Sequence, residues 1–209
     1  MSASHSSSIS HIPAATSKYS VKYGGKAIET TVTDKAAVAD EWVQEIRNKY
    51  SGNAKVVVGL DVEWKPTDAI NVKPATLQLC INDKCLILQL LHMEEFPTSL
   101  KRFFMDSKFT FVGVEIEKDI SKITEKYGLE FRNREDIREL AMSRNKYGIT
   151  GDKTSLKDLA MVVCNIHLKK PVNVQASDWE ASTLSSEQVE YACMDSYASY
   201  CVGHKLVIG

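Results

Sequence analysis

The stretch Val56-Val57-Val58-Gly59-Leu60-Asp61-Val62-Glu63-Trp64 constrains this chain more than any other segment. Apolar or small residues run straight into Asp-x-Glu, which reads as a buried strand ending in two acids. Side chains alternate along a strand, so Asp61 and Glu63 leave the same face, about 7 Å apart along the chain. Two anions at the end of a buried strand are unfavourable unless something positive sits between them. Mg²⁺ or Mn²⁺ is the natural candidate, because hard cations prefer carboxylate oxygens. A lone Asp-x-Glu more often marks only a strand exit, so the weight falls on what accompanies it.

Two further segments accompany it. In Ser185-Ser186-Glu187-Gln188-Val189-Glu190-Tyr191-Ala192-Cys193-Met194-Asp195, Ser185 and Gln188 form a capping box that starts a helix. Tyr191 and Asp195 are then i and i+4, neighbours on one face. A phenol one turn from a third carboxylate suits a water-positioning or proton-handling role; the plainer reading is a core tyrosine and a solvated acid. Between these segments, Phe109–Val114 reads as a strand, and Ile116, Ile120, Ile123 and Tyr127 recur at helical spacing up to Gly128. Asp119 borders that apolar stripe, although an acid on a helix is more often surface charge. Glu115 and Glu117 read as solvated.

Taken together, the order Asp-x-Glu, Asp, Tyr-x-x-x-Asp resembles the DEDD 3′-5′ exonucleases, in the subgroup that carries tyrosine. The resemblance is to the exonuclease domain of Werner-type helicases and its stand-alone plant relatives, from about Lys22 to Leu206. Leu77-Gln78-Leu79, Leu86-Ile87-Leu88, Ser155-Leu156-Lys157-Asp158-Leu159-Ala160, Lys169, Ser177, Trp179, Leu184 and Gln188 add to it. The histidine subgroup carries a His five residues before the last Asp, where this chain has Glu190. The resemblance implies an α/β protein of ribonuclease H-like fold, with a central mixed β-sheet flanked by α-helices. It implies two Mg²⁺ or Mn²⁺ ions. Asp61 would bridge both, Glu63 and Asp195 would hold the ion on the nucleophile side, and Asp119 would support the second through water. Tyr191 would orient the attacking water. Two ions about 3.5–4 Å apart stabilise both the entering and the leaving oxygen of such a displacement.

The 209 residues, 44% of them hydrophobic, suit a single α/β core: a Ser-rich disordered tail over 1–18, then one domain over 19–209. No apolar run reaches the ~18 residues that suggest a membrane span. The tail lacks the apolar centre of a secretory signal. The five cysteines lack metal-ligand spacing and read as reduced thiols, which points to nucleus or cytoplasm. Along the chain the patterning predicts a hairpin or edge strand over 19–32 and a helix from Asp34 to about Tyr50. An antiparallel hairpin over 75–81 and 84–90 and a short helix after Pro97 follow. Further helices are expected near 134–144, over 154–166 and from Ser185.

A net charge of −1 is low for a nucleic-acid binder, but an enzyme that takes only a 3′ end needs few phosphate contacts. Lys169 and Lys170, just before the last helix, are candidates to meet phosphate. Trp64 and Trp179 are candidates to stack on a base or ribose, core packing being the stronger reading for Trp179. Two departures from the family pattern bear on substrate. Ser182-Thr183 replace a frequent Arg-Pro, and Glu115 stands where Gly is common. The expectation is a metal-dependent 3′-5′ exonuclease that releases nucleoside 5′-monophosphates from nucleic acid with a free 3′ end, DNA favoured over RNA. The rival is a catalytically weak nucleic-acid-binding or assembly module that keeps the fold. A helicase partner would supply any unwinding, and a homo-oligomer, such as a ring, is compatible with the resemblance.

Overall fold

The computed structural model describes residues 8–12, 17–66, 72–144, 146–151 and 153–209, with the backbone alone for 8–12. Among the described residues, eight strands form one mixed sheet: β1 (Ser8–Ile12), β2 (Ser17–Tyr23), β3 (Lys26–Thr33), β4 (Val56–Glu63), β5 (Thr76–Ile81), β6 (Lys84–Gln89), β7 (Phe109–Gly113) and β8 (Arg134–Asp136). Their order is β1-β2-β3-β6-β5-β4-β7-β8. The acid-bearing β4 lies inside the sheet, antiparallel to β5 and parallel to β7.

The alternation of β4 decides the rest. Val56, Val58, Leu60 and Val62 face one core, together with α1 (Ala36–Lys49), α2 (Thr98–Phe104) and α3 (Ile116–Tyr127). Phe103, Phe104, Phe109, Phe111 and Phe131 fill that layer with edge-on and stacked rings. The opposite face of β4, with Val57, looks toward α4 (Ile137–Ser143), α5 (Leu156–Cys164), α6 (Val172–Gln175) and α7 (Ser186–Val207). The long α7 is the centre of this layer, capped as expected by Ser185 and Gln188 in reciprocal hydrogen bonds.

Gly59 explains how α7 reaches β4. A Cβ placed there would lie 2.0 Å from the Ser196 carbonyl oxygen and 2.4 Å from the Tyr200 nitrogen. Only glycine lets the helix backbone touch the strand at this point. Gly203 does the same for the helix against Val112, where a Cβ would come within 2.4 Å of a methyl group.

The predicted elements appear, with three corrections. Ser8–Ile12 pairs antiparallel with β2, and Ser17 and Lys18 belong to β2, so the disordered tail expected over 1–18 does not describe these residues. The reason is the open edge of β2, whose backbone groups a polar segment can satisfy without needing apolar side chains. Residues 1–7 and 13–16 lie outside the described residues. The helix expected near 134–144 begins only at Ile137, because Arg134–Asp136 pairs with the free edge of β7 and Asp136 then caps α4 by accepting from the Arg138 amide. The helix expected from Asp34 begins at Ala36, and its buried side is Ala39, Trp42, Val43 and Ile46. All five cysteines are free thiols; Cys80 and Cys85 are directly opposed across the β5–β6 hairpin. No described helix is long and apolar enough to cross a membrane.

Candidate active site

Asp61 and Glu63 share the α7 face of β4 with Gly59, two and four residues from the point where strand and helix backbones touch. That contact brings Asp195 of α7 over them. One carboxylate oxygen from each of Asp61, Glu63 and Asp195 lies within 4.8 Å of the others. Asp195 is buried, while Asp61 and Glu63 are partly exposed. The Oδ2 of Asp61 is nevertheless shut off from solvent and has no hydrogen-bond partner. A buried carboxylate oxygen without a donor is costly, and a divalent cation is the partner that three converging carboxylates fit.

The electrostatics agree. Burial, then the charges of Asp195 and Glu63, push the Asp61 pKa well above the usual carboxylate range. Burial and Asp195 raise Glu63 to about 8. Burial also raises Asp195, with Lys170 opposing. Lys170 Nζ donates to Asp195 Oδ2 and to the Tyr191 hydroxyl, 3.3 Å away. Burial alone would lower the Lys170 pKa, but Asp195 and Asp61 outweigh it and hold it above its ordinary value. Tyr191 is raised by burial and by Asp195, so its phenol stays protonated at neutral pH.

Asp119 does not join this trio. It sits in the first turn of α3, whose apolar residues pack on the opposite face of the sheet. Its charge still raises the pKa of both Asp61 and Glu63, and burial lifts its own to about 7. Three acids therefore converge, and Asp119 stands close enough for its charge to act on two of them.

The other candidates divide. Trp179 is 1% exposed, donates its indole N–H to the Gln175 carbonyl and packs on Tyr191. Its burial follows the stronger of its two sequence readings, core packing, and leaves no face for stacking on a nucleotide; the ring instead packs against Tyr191. Trp64 is half-buried on the α3 side, and Lys122 Nζ lies 3.6 Å from its ring centroid, covering one face. Lys169 is exposed and lines a cavity of about 240 Å³ that also touches Tyr191, Leu168, Val174 and Met194. Glu115 adopts a left-handed backbone, φ 55°, at the start of α3. Its carboxylate pairs with Lys118 at 2.7 Å and Arg138 at 3.3 Å, so its charge is balanced by two cations. The loop where Ser182-Thr183 replace Arg-Pro is held by Gln89, which donates to the Ala181 and Ser182 carbonyls. Sequence reasoning overlooked Gly59 and the Lys122–Trp64 pair. A glycine inside an otherwise β-branched strand is the signal that marks close backbone approach.

The raised acids make a pH prediction. In the unfolded chain such carboxyls lose their protons near pH 4. The folded protein keeps a proton on Glu63 up to about pH 8 and on Asp119 up to about 7. Across this window the native state binds more protons than the unfolded state, so stability is full at low pH and falls as pH rises. In EDTA the Tm is expected to drop by roughly 5–10 °C between about pH 5 and pH 8, and Mn²⁺ should flatten the slope. A Tm that climbs over that range in EDTA would contradict the assignment.

Comparison with known proteins gives the family and the fold. Residues 30–207 match the model of a 3′-5′ exonuclease domain family. A "3'-5' exonuclease" of Arabidopsis thaliana is 31% identical over 186 residues, which cover 86% of this chain and 63% of the relative. The chain thus spans less than two thirds of that relative's length. Among solved structures, Escherichia coli RNase D superposes with a TM-score of 0.72 at 17% identity, over 86% of this chain and 44% of the other, and shares the fold. The EXD2 exonuclease domain soaked in Mn gives 0.50 at 27% identity, over 85% and 89%. With the family model covering nearly the whole folded region, and the acids gathered on a ribonuclease H-like sheet, this chain belongs to the 3′-5′ exonuclease family.

Proposed function

We propose that this protein is a divalent-metal-dependent exonuclease that removes nucleoside 5′-monophosphates from the 3′ end of nucleic acid, DNA in preference to RNA. The observation that carries the reading is the trio Asp61, Glu63 and Asp195, with one buried, unpartnered carboxylate oxygen among them. Its family membership supports the same conclusion, as does the Mn soaked into the related EXD2 domain. Mg²⁺ or Mn²⁺ bound by these acids would supply a Lewis acid and an activated water; Asp119 would assist from its separate helix.

The chain's own residues have definable roles in this reading. Tyr191, its phenol protonated and one turn from Asp195, orients the attacking water. Trp179 fixes that ring from behind. Lys169 and Lys170 meet the phosphate backbone, and Trp64 with Lys122 borders the terminal nucleotide. The test uses 5′-labelled DNA and RNA strands with Mg²⁺, Mn²⁺ or EDTA. A ladder shortening by single nucleotides from the 3′ end, abolished by EDTA and restored by metal, is expected. Digestion should be distributive and salt-sensitive, since few phosphate contacts hold the strand. Binding without cleavage in any metal would favour the rival reading, a nucleic-acid-binding module; cleavage that persists in EDTA would remove the metal assignment.

A further inference from the structure

Lys170 stands in an arrangement that a simple phosphate contact does not account for. Its ammonium is not aimed outward for a substrate. It donates to Asp195 Oδ2, reaches the Tyr191 hydroxyl at 3.3 Å, and lies 4.8 Å from the Tyr191 ring centroid. Its charge also acts on Asp61 and Glu63. The acid trio is therefore loaded unevenly. Asp195 Oδ2 has a protein cation, whereas Asp61 Oδ2 has no partner at all. The Lys170 side chain is 27% exposed and that of Asp195 only 4%, so the cation is the solvent-side member of the pair.

The backbone lets this cation move. α5 ends at Cys164 with Asn165 in the left-handed region, and α6 does not begin until Val172, after Pro171. Lys170 hangs from the irregular connection between them, so its side chain can leave Asp195 without unwinding a helix. The three ligand oxygens lie within 4.8 Å of one another, which leaves room for one cation to bridge Asp195 to its neighbours.

We propose that Lys170 is a built-in cation that satisfies the Asp195 side of the cluster in the resting protein and competes with a divalent ion for it. Metal binding expels the ammonium, which is then free to pair with substrate phosphate. The inference rests on the exonuclease reading only in requiring that the acids bind a divalent ion. It adds a cost to metal binding and links that binding to the arrival of a phosphate able to receive Lys170.

Mn²⁺ titration by calorimetry without nucleic acid tests it. Removing a positive charge a few ångströms from the ion should tighten binding at least about tenfold in Lys170→Met, even at a high effective permittivity. Lys170→Arg, which keeps the charge and the pairing, should stay near wild type, and so should Lys169→Met, which removes an exposed charge next door. Equal or weaker Mn²⁺ affinity in Lys170→Met would overturn the proposal. Because that variant leaves Asp195 buried without a partner and its fold is at risk, a second measurement uses the wild type alone. Amine acetylation read by mass spectrometry should modify Lys170 slowly in EDTA and faster at saturating Mn²⁺, with Lys169 unchanged. A Lys170 rate that is constant or falls with Mn²⁺ would sink the idea. Metal-dependent cleavage together with an unmoved Lys170 would leave the nuclease reading standing and remove this inference alone; wild-type protein that binds no Mn²⁺ would remove both.

Discussion

Asp61→Asn is expected to yield a protein that folds at least as well as the wild type and hardly cuts nucleic acid. The substitution keeps the side-chain volume and removes one charge from a site where burial and two neighbouring acids already disfavour it. Relief of that repulsion should raise the Tm of the metal-free protein, by about 1–3 kcal/mol in stability at neutral pH. Activity should fall by roughly 10³-fold or more, because an amide cannot hold or neutralise a divalent ion as a carboxylate does. Mn²⁺ should stabilise the wild type and leave Asp61→Asn nearly unmoved in a thermal scan. Tyr191→Phe supplies the contrast. It removes one hydroxyl and no ligand, so the Mn²⁺ shift should survive while turnover drops by roughly 10²–10⁴-fold. Loss of the Mn²⁺ shift in Tyr191→Phe would make the tyrosine a structural support of the cluster rather than a positioner of water.

Gly59→Ala is expected to cost the fold at least about 3 kcal/mol, for the addition of one methyl group. The new Cβ would meet the Ser196 carbonyl and the Tyr200 amide nitrogen, both backbone atoms of α7, which cannot rotate away. Either α7 lifts from β4, carrying Asp195 away from Asp61, or the strand bows out of the sheet. Both routes disturb the site, so any residual folded protein should bind Mn²⁺ weakly. Urea denaturation with calorimetric Mn²⁺ titration reads both effects. A variant with wild-type stability would show that the helix and strand do not touch as described.

Much of the architecture was legible because each element carries its own period and punctuation. The run into Asp61 could be little but a buried strand, Asn82-Asp83 sits between two apolar runs of matching length, and Ser185 with Gln188 sets the start of α7. Gly128, left-handed at φ 65°, ends α3 as the pattern indicated. Two of the failures share a cause. The pairing of Ser8–Ile12 with β2 and of Arg134–Asp136 with β7 came from open sheet edges seeking partners, and the local sequence does not announce such demand. Short segments without a sustained apolar pattern read as tail or helix until the neighbouring edge is known.

The same boundary runs through the site. From the sequence alone, Asp61 and Glu63 had to share a face, because alternation along one strand is a local rule, and Tyr191 and Asp195 had to be neighbours, because helical spacing is another. Whether these two pairs meet depends on where α7 crosses β4, and that was decided by Gly59 through a contact between residues far apart in the chain. Tertiary packing likewise brought Asp119, on a helix of the opposite layer, near enough to act on Asp61 and Glu63, turned Trp179 into the wall behind Tyr191, and set Lys170 against Asp195. Periodicity states which way a side chain leaves its own element; what it meets there is fixed only when the layers close on one another.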